Sequence, residues 1–317
     1  MIRPFDLRDI PLVRQLEQHG VPLDSRVALT ETHRPLQEAL LAYLIAGRGA
    51  PTFVLRQQRS GVNLQAFGQL RLWPSSQGKA QARLVMLATQ PPGRELLLWP
   101  QLLDALAAHA GQCGAHAVPA EIADSGPHFE ALRRANFVVY SRQEIWRLMV
   151  PLELPAERYW RPEQPGDQWQ IQQLITSTVP RLIQQVETAD RVGPGLLWLK
   201  DGNLLAYICA RRGPRGVWLQ LYPHPQAAAS TSLLIQQAAA HYRPSPETPL
   251  YCIVRRYQEW LNRCLADLDF EPVGSQAVMV RHTIVRAPRP ERVFAPVRDK
   301  VLEATTSIAQ SGMKRNG

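Results

Sequence analysis

Cysteine is scarce in this chain: Cys113, Cys209, Cys252 and Cys264 are the four in 317 residues, and no two form a Cys-x-x-Cys pair. That spacing argues against a disulfide framework and predicts reduced, half-buried thiols. His109, Cys113 and His116 have the residue types of a metal site. They straddle an expected helix end, a glycine turn and a strand, so their side chains need not converge and no metal is expected. Long apolar runs are missing as well. The stretch "ALLAYLIA" (39–46) falls well short of the ~20 residues that cross a bilayer. The start of the chain lacks the basic segment, apolar core and cleavage site of a secretory signal, so the expected location is cytoplasmic. There is no P-loop, no G-x-S-x-G elbow and no H-E-x-x-H. "GRGAPT" (47–52) lacks the spacing and preceding strand of a dinucleotide fingerprint.

What is present is a globular composition. With 45% hydrophobic and 20% charged residues the chain is not a disordered one, and 317 residues suffice for two domains. The net charge of +9 favours an anionic partner, but arginine is spread along the whole chain. Residues 286–317 carry seven basic and three acidic side chains, so much of the excess sits in the tail. No zinc finger, RNP-like strand or arginine–aromatic interleaving accompanies it, and dedicated nucleic-acid binding is not expected.

The chain begins twice. "MIRPFDLRDIPLVRQL" at the N-terminus and "YWRPEQPGDQWQIQQL" (159–174) share Arg-Pro, four residues, Asp, three residues, a β-branched aliphatic, one residue, then Gln-Leu. The matched residues are Arg3, Pro4, Asp9, Val13, Gln15 and Leu16, against Arg161, Pro162, Asp167, Ile171, Gln173 and Leu174. Leu132 and Phe137 lie 133 residues before Leu265 and Phe270. "PQLLDALAAHA" (100–110) matches "TSLLIQQAAAH" (231–241) at a separation of 131. Matched elements in the same order imply a duplicated unit, shortened after the first helix of its second copy.

Each copy reads as mixed α/β. The first has a short strand at 2–4, a helix that Asp9 can cap, and a helix over 34–46. Strands follow at 52–57, 63–73 and 80–89, then a helix at 95–110, a strand at 115–123, a helix at 127–136 and a strand at 137–149. The second copy repeats this as helix 168–187, strands 195–200, 204–211 and 216–222, helix 228–241, strand 249–255, helix 257–268 and strand 276–285. "KDGN" (200–203) is a hairpin turn. The expected division is 1–150, then 158–286 after a short linker, then a loosely attached basic tail, 287–317.

This order of elements, with "IRPFDLRDIPLVRQL" at the start and "FEALRRANF" near the end of the first copy, resembles the GNAT acyltransferase superfamily. The resemblance covers roughly 1–150 and 158–285. It implies two tandem GNAT-like domains, each a mixed, mostly antiparallel sheet flanked by helices. It further implies transfer of an acetyl or other acyl group from acyl-CoA to an amine or similar nucleophile, with no metal. The acceptor is not readable, and a monomer suffices because the two copies can complete each other.

In that family the CoA pyrophosphate rests on backbone N–H groups at the start of the helix after the fourth strand, where unpaired donors and the helix dipole favour an anion. The matching loop of the first copy is "QPPGRELLLWPQLL" (90–103). Gly93 and Arg94 remain useful there, whereas Leu97 and Trp99 stand where small residues belong, and Trp99 is expected to fill the phosphate space. The second copy has "YPHPQAAASTSLLI" (222–235). Ala228, Ala229, Ser230 and Thr231, flanked by Leu221 and Gln226, are small enough to admit a phosphate, so this copy is the favoured CoA site. Leu132 and Leu265 replace the family's tyrosine acid, which leaves Tyr222 (or Tyr140 or Tyr257) as substitutes. Glu121, Asp124 and His224 are the candidate bases. The alternative reading is a tandem GNAT-like protein without catalysis, serving in binding or assembly.

Overall fold

A computed structural model describes residues 1–45, 47–74, 80–153, 160–187 and 195–283. The basic tail from 287, and residues 154–158 of the linker, lie outside the described residues. The first copy contributes β1 (Ile2–Pro4), α1 (Ile10–Leu16), β2 (Val21–Pro22), α2 (Ser25–Thr30), α3 (Pro35–Leu44), β3 (Thr52–Arg59), β4 (Val62–Pro74), β5 (Ala80–Gln90), α4 (Glu95–Gln112), β6 (Ala117–Ala123), α5 (Pro127–Arg134) and β7 (Val138–Leu148). The second contributes β8 (Trp160–Pro162), α6 (Gln168–Thr178), α7 (Arg181–Val186), β9 (Leu196–Lys200), β10 (Asn203–Gly213), β11 (Gly216–Pro223), α8 (Thr231–Tyr242), β12 (Leu250–Arg255), α9 (Leu261–Ala266) and β13 (Glu271–His282).

The repeated opening is a clamp. Arg3 donates from both terminal nitrogens to the two carboxylate oxygens of Asp9, at 2.7 and 2.9 Å. Arg161 does the same to Asp167, at 2.7 Å twice. Each aspartate also accepts a backbone N–H three residues earlier, from Asp6 and Gln164. The proline after each arginine ends the strand, and the aspartate starts the helix, where its charge suits the dipole. A bidentate arginine–carboxylate pair thus sets the strand-to-helix angle in both copies.

Two sheets result, one ordered β1-β3-β4-β5-β2 and the other β6-β13-β7-β12-β11-β10-β9-β8. In the first copy α1 packs Leu12, Val13 and Leu16 against Phe67 and Val85 on one face. Helix α4 buries Leu98, Leu102 and Leu106 on the other, at the three-to-four spacing of an apolar helix stripe. It sits close: a Cβ added to Gly68 on β4 would meet Leu87 and Leu106 side-chain carbons at 2.6 and 2.7 Å.

The eight-stranded sheet crosses the boundary drawn by the repeat. Strand β7, last in the first copy, pairs with β12 of the second, while β13, last in the second, pairs with β6 of the first. The two exchanged strands also pair with each other. Residues Met1–Arg286 accordingly form one compact unit. The helix expected over 168–187 is two helices instead, because Pro180 has no N–H to continue the first and disfavours helical geometry at Val179. No described helix is long and apolar enough to cross a membrane.

Candidate functional site

Helices α4 and α8 each begin beyond a gap in the sheet, between β5 and β6 in the first copy and between β11 and β12 in the second. The first gap is filled by the chain itself. Val21 and Pro22 pair with Leu87 and Met86 of β5. Leu23 then donates its N–H to Val85 O at 2.9 Å and accepts from Glu121 N–H at 2.8 Å. Both strand edges are therefore satisfied by the segment 21–23.

The loop above this gap is occupied as well. Gly93, at φ +82°, donates its N–H to Glu95 Oε1 at 3.1 Å, so the protein's own carboxylate takes the place of an outside anion. Arg94 is exposed at the start of α4. Trp99 does not fill the space expected of it. Its ring is wholly buried, donates from Nε1 to Thr89 Oγ1 at 2.7 Å and stacks on His128.

The second copy differs. Strands β11 and β12 pair in parallel from Val217–Leu250 to Gln220–Ile253 and then separate. No strand lies in the gap among the described residues. The side chain of Gln258 reaches across it, donating to the buried Leu221 carbonyl at 2.7 Å. On the face toward α6 and α7, a small hollow of about 40 Å³ is lined by Tyr207, Cys209, Gln220, Tyr222, Glu187 and Arg26 of the first copy.

The helix start of this copy is not the open loop expected. Pro225–Ser230 is a 3-10 turn running directly into α8. Pro225 has no N–H, Gln226 N–H donates to His224 Nδ1 at 3.2 Å, and Ala227 N–H donates to His224 O at 2.8 Å. The N–H groups of Ala228, Ala229 and Ser230 fall within the turn, whose pattern is a bond to the carbonyl three residues back. Thr231 donates its hydroxyl to Ala227 O. Ala228 and Ala229 are exposed, so the surface is open even though its donors are engaged. His224 and Gln226 line a separate groove of about 550 Å³ with Trp169, Gln173 and Asn203.

A buried polar layer joins the two copies beneath these gaps. Glu121 accepts from Ser25 N–H at 2.8 Å and from Arg83 Nη1 at 3.2 Å. Burial alone would raise its pKa, but Arg83, then Arg255, the Ser25 N–H and Arg26 outweigh it and bring the carboxyl to about 2. Such a group stays ionised and is a poor proton acceptor near neutrality. Asp24 is shifted the other way, raised by burial and by Glu121 against the pull of Arg83. On the other side Arg255 meets Glu187 Oε1 at 2.5 Å, and Tyr140 donates to the same oxygen at 2.8 Å. Burial pushes the phenols of Tyr222 and Tyr257 up, so both remain protonated. Tyr257 Oη is buried without a hydrogen-bond partner among the described residues. Arg26 lies over the Trp218 ring, 5.1 Å from its centroid.

Of the residues singled out from sequence, Tyr222 and Glu121 thus share one buried layer, His224 and Gln226 share a groove, and Gly93 and Arg94 stand apart at the first loop. Arg26, Arg83, Glu187 and Arg255 escaped notice. Their signal was there for two of them: a charged residue inside an apolar strand, as in "ARLVML" and "CIVRRY", is costly unless paired. Among the described residues no group of three or more His, Cys, Asp or Glu is placed to hold a metal ion.

No protein-family model and no curated protein sequence matches the chain. Solved structures do. A GCN5-related N-acetyltransferase from Sphaerobacter thermophilus superposes with a TM-score of 0.50 at 12% identity, over 91% of this chain and 96% of its own. A tandem GNAT protein from the clavulanic acid biosynthesis pathway matches with a TM-score of 0.48 at 17% identity, over 89% and 98%. A GNAT-family acetyltransferase from Colwellia psychrerythraea gives 0.41 at 12%, over 89% and 99%. The chain thus shares the fold of a GCN5-related N-acetyltransferase over nearly its whole length.

Proposed function

We propose that this chain is an acyltransferase of the GNAT type with one working site, in the second copy, using acetyl-CoA or another acyl-CoA as donor and an amine or similar nucleophile as acceptor. The observation that carries this reading is the contrast between the gaps. The first is filled by the chain's own segment 21–23, while no strand lies in the second among the described residues and the Gln258 side chain reaches across to Leu221. In this reading Gln226, Ala228, Ala229 and Ser230 form the surface for the phosphates, beside the buried Leu221 and the Thr231 hydroxyl, and the His224 ring must leave Gln226 N–H to free that donor. Tyr222, held protonated by burial, supplies the proton that the leaving thiolate needs. His224 caps the turn through Nδ1. Glu121 positions Ser25 and Arg83 at the wall between the copies. Gly93 and Arg94 take no part.

A second reading has its own support. At each helix start a backbone N–H that would face an anion is engaged by the chain, Gly93 N–H by Glu95 in one copy and Gln226 N–H by His224 in the other. On that reading the fold is kept for binding or assembly without catalysis. Release of free thiol from acetyl-CoA across a panel of primary amines separates them. Turnover that is lost in Tyr222→Phe supports transfer. Binding of acetyl-CoA with no thiol release under any amine supports the second reading.

A further inference from the structure

A second cavity lies at the opposite end of the first copy. Its walls are the end of α3, residues 47–53, the end of β4, the start of β5 and the last turn of α4, and it measures about 690 Å³. Ala80 on its rim and Gln90 at the loop end are the two ends of β5, roughly 33 Å apart at strand rise. It is therefore remote from the helix start of that copy.

The lining is aromatic. Phe5 and Tyr43 meet edge to face at 6.2 Å, and Phe53 lies 5.3 Å from the His109 ring. Trp73 satisfies its indole N–H on Gln81 at 2.7 Å, so its ring is free to act as an apolar wall. Leu44 and Ile45, at the end of α3, are exposed. One side chain in the lining carries a fixed charge: Arg48, which has no ion-pair partner among the described residues. Among the described residues no aspartate or glutamate lines the cavity. His109 adds a polar edge, and burial lowers its pKa. An open apolar hollow of this size with a few placed polar groups is a usual form of a small-ligand site.

We infer that this cavity binds a small apolar carboxylic acid, its hydrocarbon body between Phe5, Tyr43, Phe53 and Trp73 and its carboxylate on the Arg48 guanidinium. A guanidinium pairs carboxylates in a directed, charge-assisted way, and aromatic walls bury the rest. The site is separate from acyl transfer and stands or falls independently of it.

Cys113 reports on occupancy, because it lines the cavity and is the exposed cysteine of the four. Alkylation of the Cys113 peptide by iodoacetamide is followed by mass spectrometry with decanoate or decanol as probe. Decanoate is expected to slow Cys113 alkylation at least fivefold at saturation, and decanol to protect at least tenfold more weakly. Arg48→Ala should erase that difference, and Ala42→Trp should remove protection while circular dichroism stays unchanged. No protection by decanoate up to its solubility limit overturns the proposal. So does equal protection by decanol, or protection that survives Ala42→Trp in a folded protein. If Ala42→Trp fails to fold, Arg48→Ala decides alone.

Discussion

Gln143 and Gln276 stand 133 residues apart, the spacing that also separates Phe137 from Phe270, and their side chains meet: Gln143 Nε2 donates to Gln276 Oε1 at 2.7 Å. A residue that touches its own repeat equivalent lies on the two-fold axis relating the copies, as in a symmetric dimer. The pairing around it is symmetrical too, with Arg142 opposite Ala277 and Glu144 opposite Ser275. Each copy has given the other its last strand, so the duplication is held together by a shared sheet rather than by a surface.

It follows that neither half is complete alone. Residues 1–153 and 154–317, expressed as separate chains, are expected to co-purify in equal amounts when made together. Each made alone should lack a cooperative thermal transition, because it exposes an unpaired strand edge. Two independently folded halves would show that the exchange is dispensable.

The buried layer makes a pH-dependent prediction. Glu121→Gln takes the nearer carboxylate from the buried Arg83, leaving it Asp24 at 3.7 Å, and is expected to cost about 3 kcal/mol at pH 7. Glu121 titrates at about 2 in the folded protein, below its unfolded value of roughly 4.3. Its contribution is therefore complete above the unfolded value and is lost as pH falls toward about 2. The deficit of the variant in denaturant melts should shrink across that window. A deficit that stays constant from pH 7 to 3 would contradict the assignment.

The opening clamps are structural and unequal. The Asp9 side chain is fully buried between Arg3 and Arg56, whereas that of Asp167 is slightly exposed and, among the described residues, pairs with Arg161 alone. Asp9→Ala is expected to cost about 2 kcal/mol, and Asp167→Ala clearly less. Thermal melts of the two variants check the order.

At the second copy, His224→Ala removes an exposed helix cap and should cost no more than about 1 kcal/mol. Because it frees Gln226 N–H, acetyl-CoA affinity should hold or rise. Tyr222→Phe should leave binding intact and lower kcat by about 100-fold. A large loss of affinity in His224→Ala would mean that the ring itself contacts the ligand.

Much of the fold could be read from sequence, for local reasons. The meander of β9, β10 and β11 follows from alternating apolar residues and the Asp201-Gly202 turn, and α4 follows from its leucine stripe. Strand β2 and helix α2 were missed. Two residues, Val21 and Pro22, become a strand because the gap beside β5 offers them partners, which is a tertiary fact. The strand exchange was missed for a related reason. A repeat reports the order of elements, and either copy's sheet could accept β7 or β13. At the site, the small residues 227–230 were visible, but the 3-10 turn they form was not. Two prolines and a capping histidine within 223–226 favour that turn. The carboxylate of Glu95 on Gly93 N–H likewise belongs to three-dimensional placement.

The most direct test of the functional account is calorimetric titration of the whole protein with acetyl-CoA, repeated on Ala228→Trp and Gly93→Trp. The account predicts binding by the unaltered chain and by Gly93→Trp, and none by Ala228→Trp. An absence of heat at millimolar acetyl-CoA, or binding lost only in Gly93→Trp, would contradict a site in the second copy.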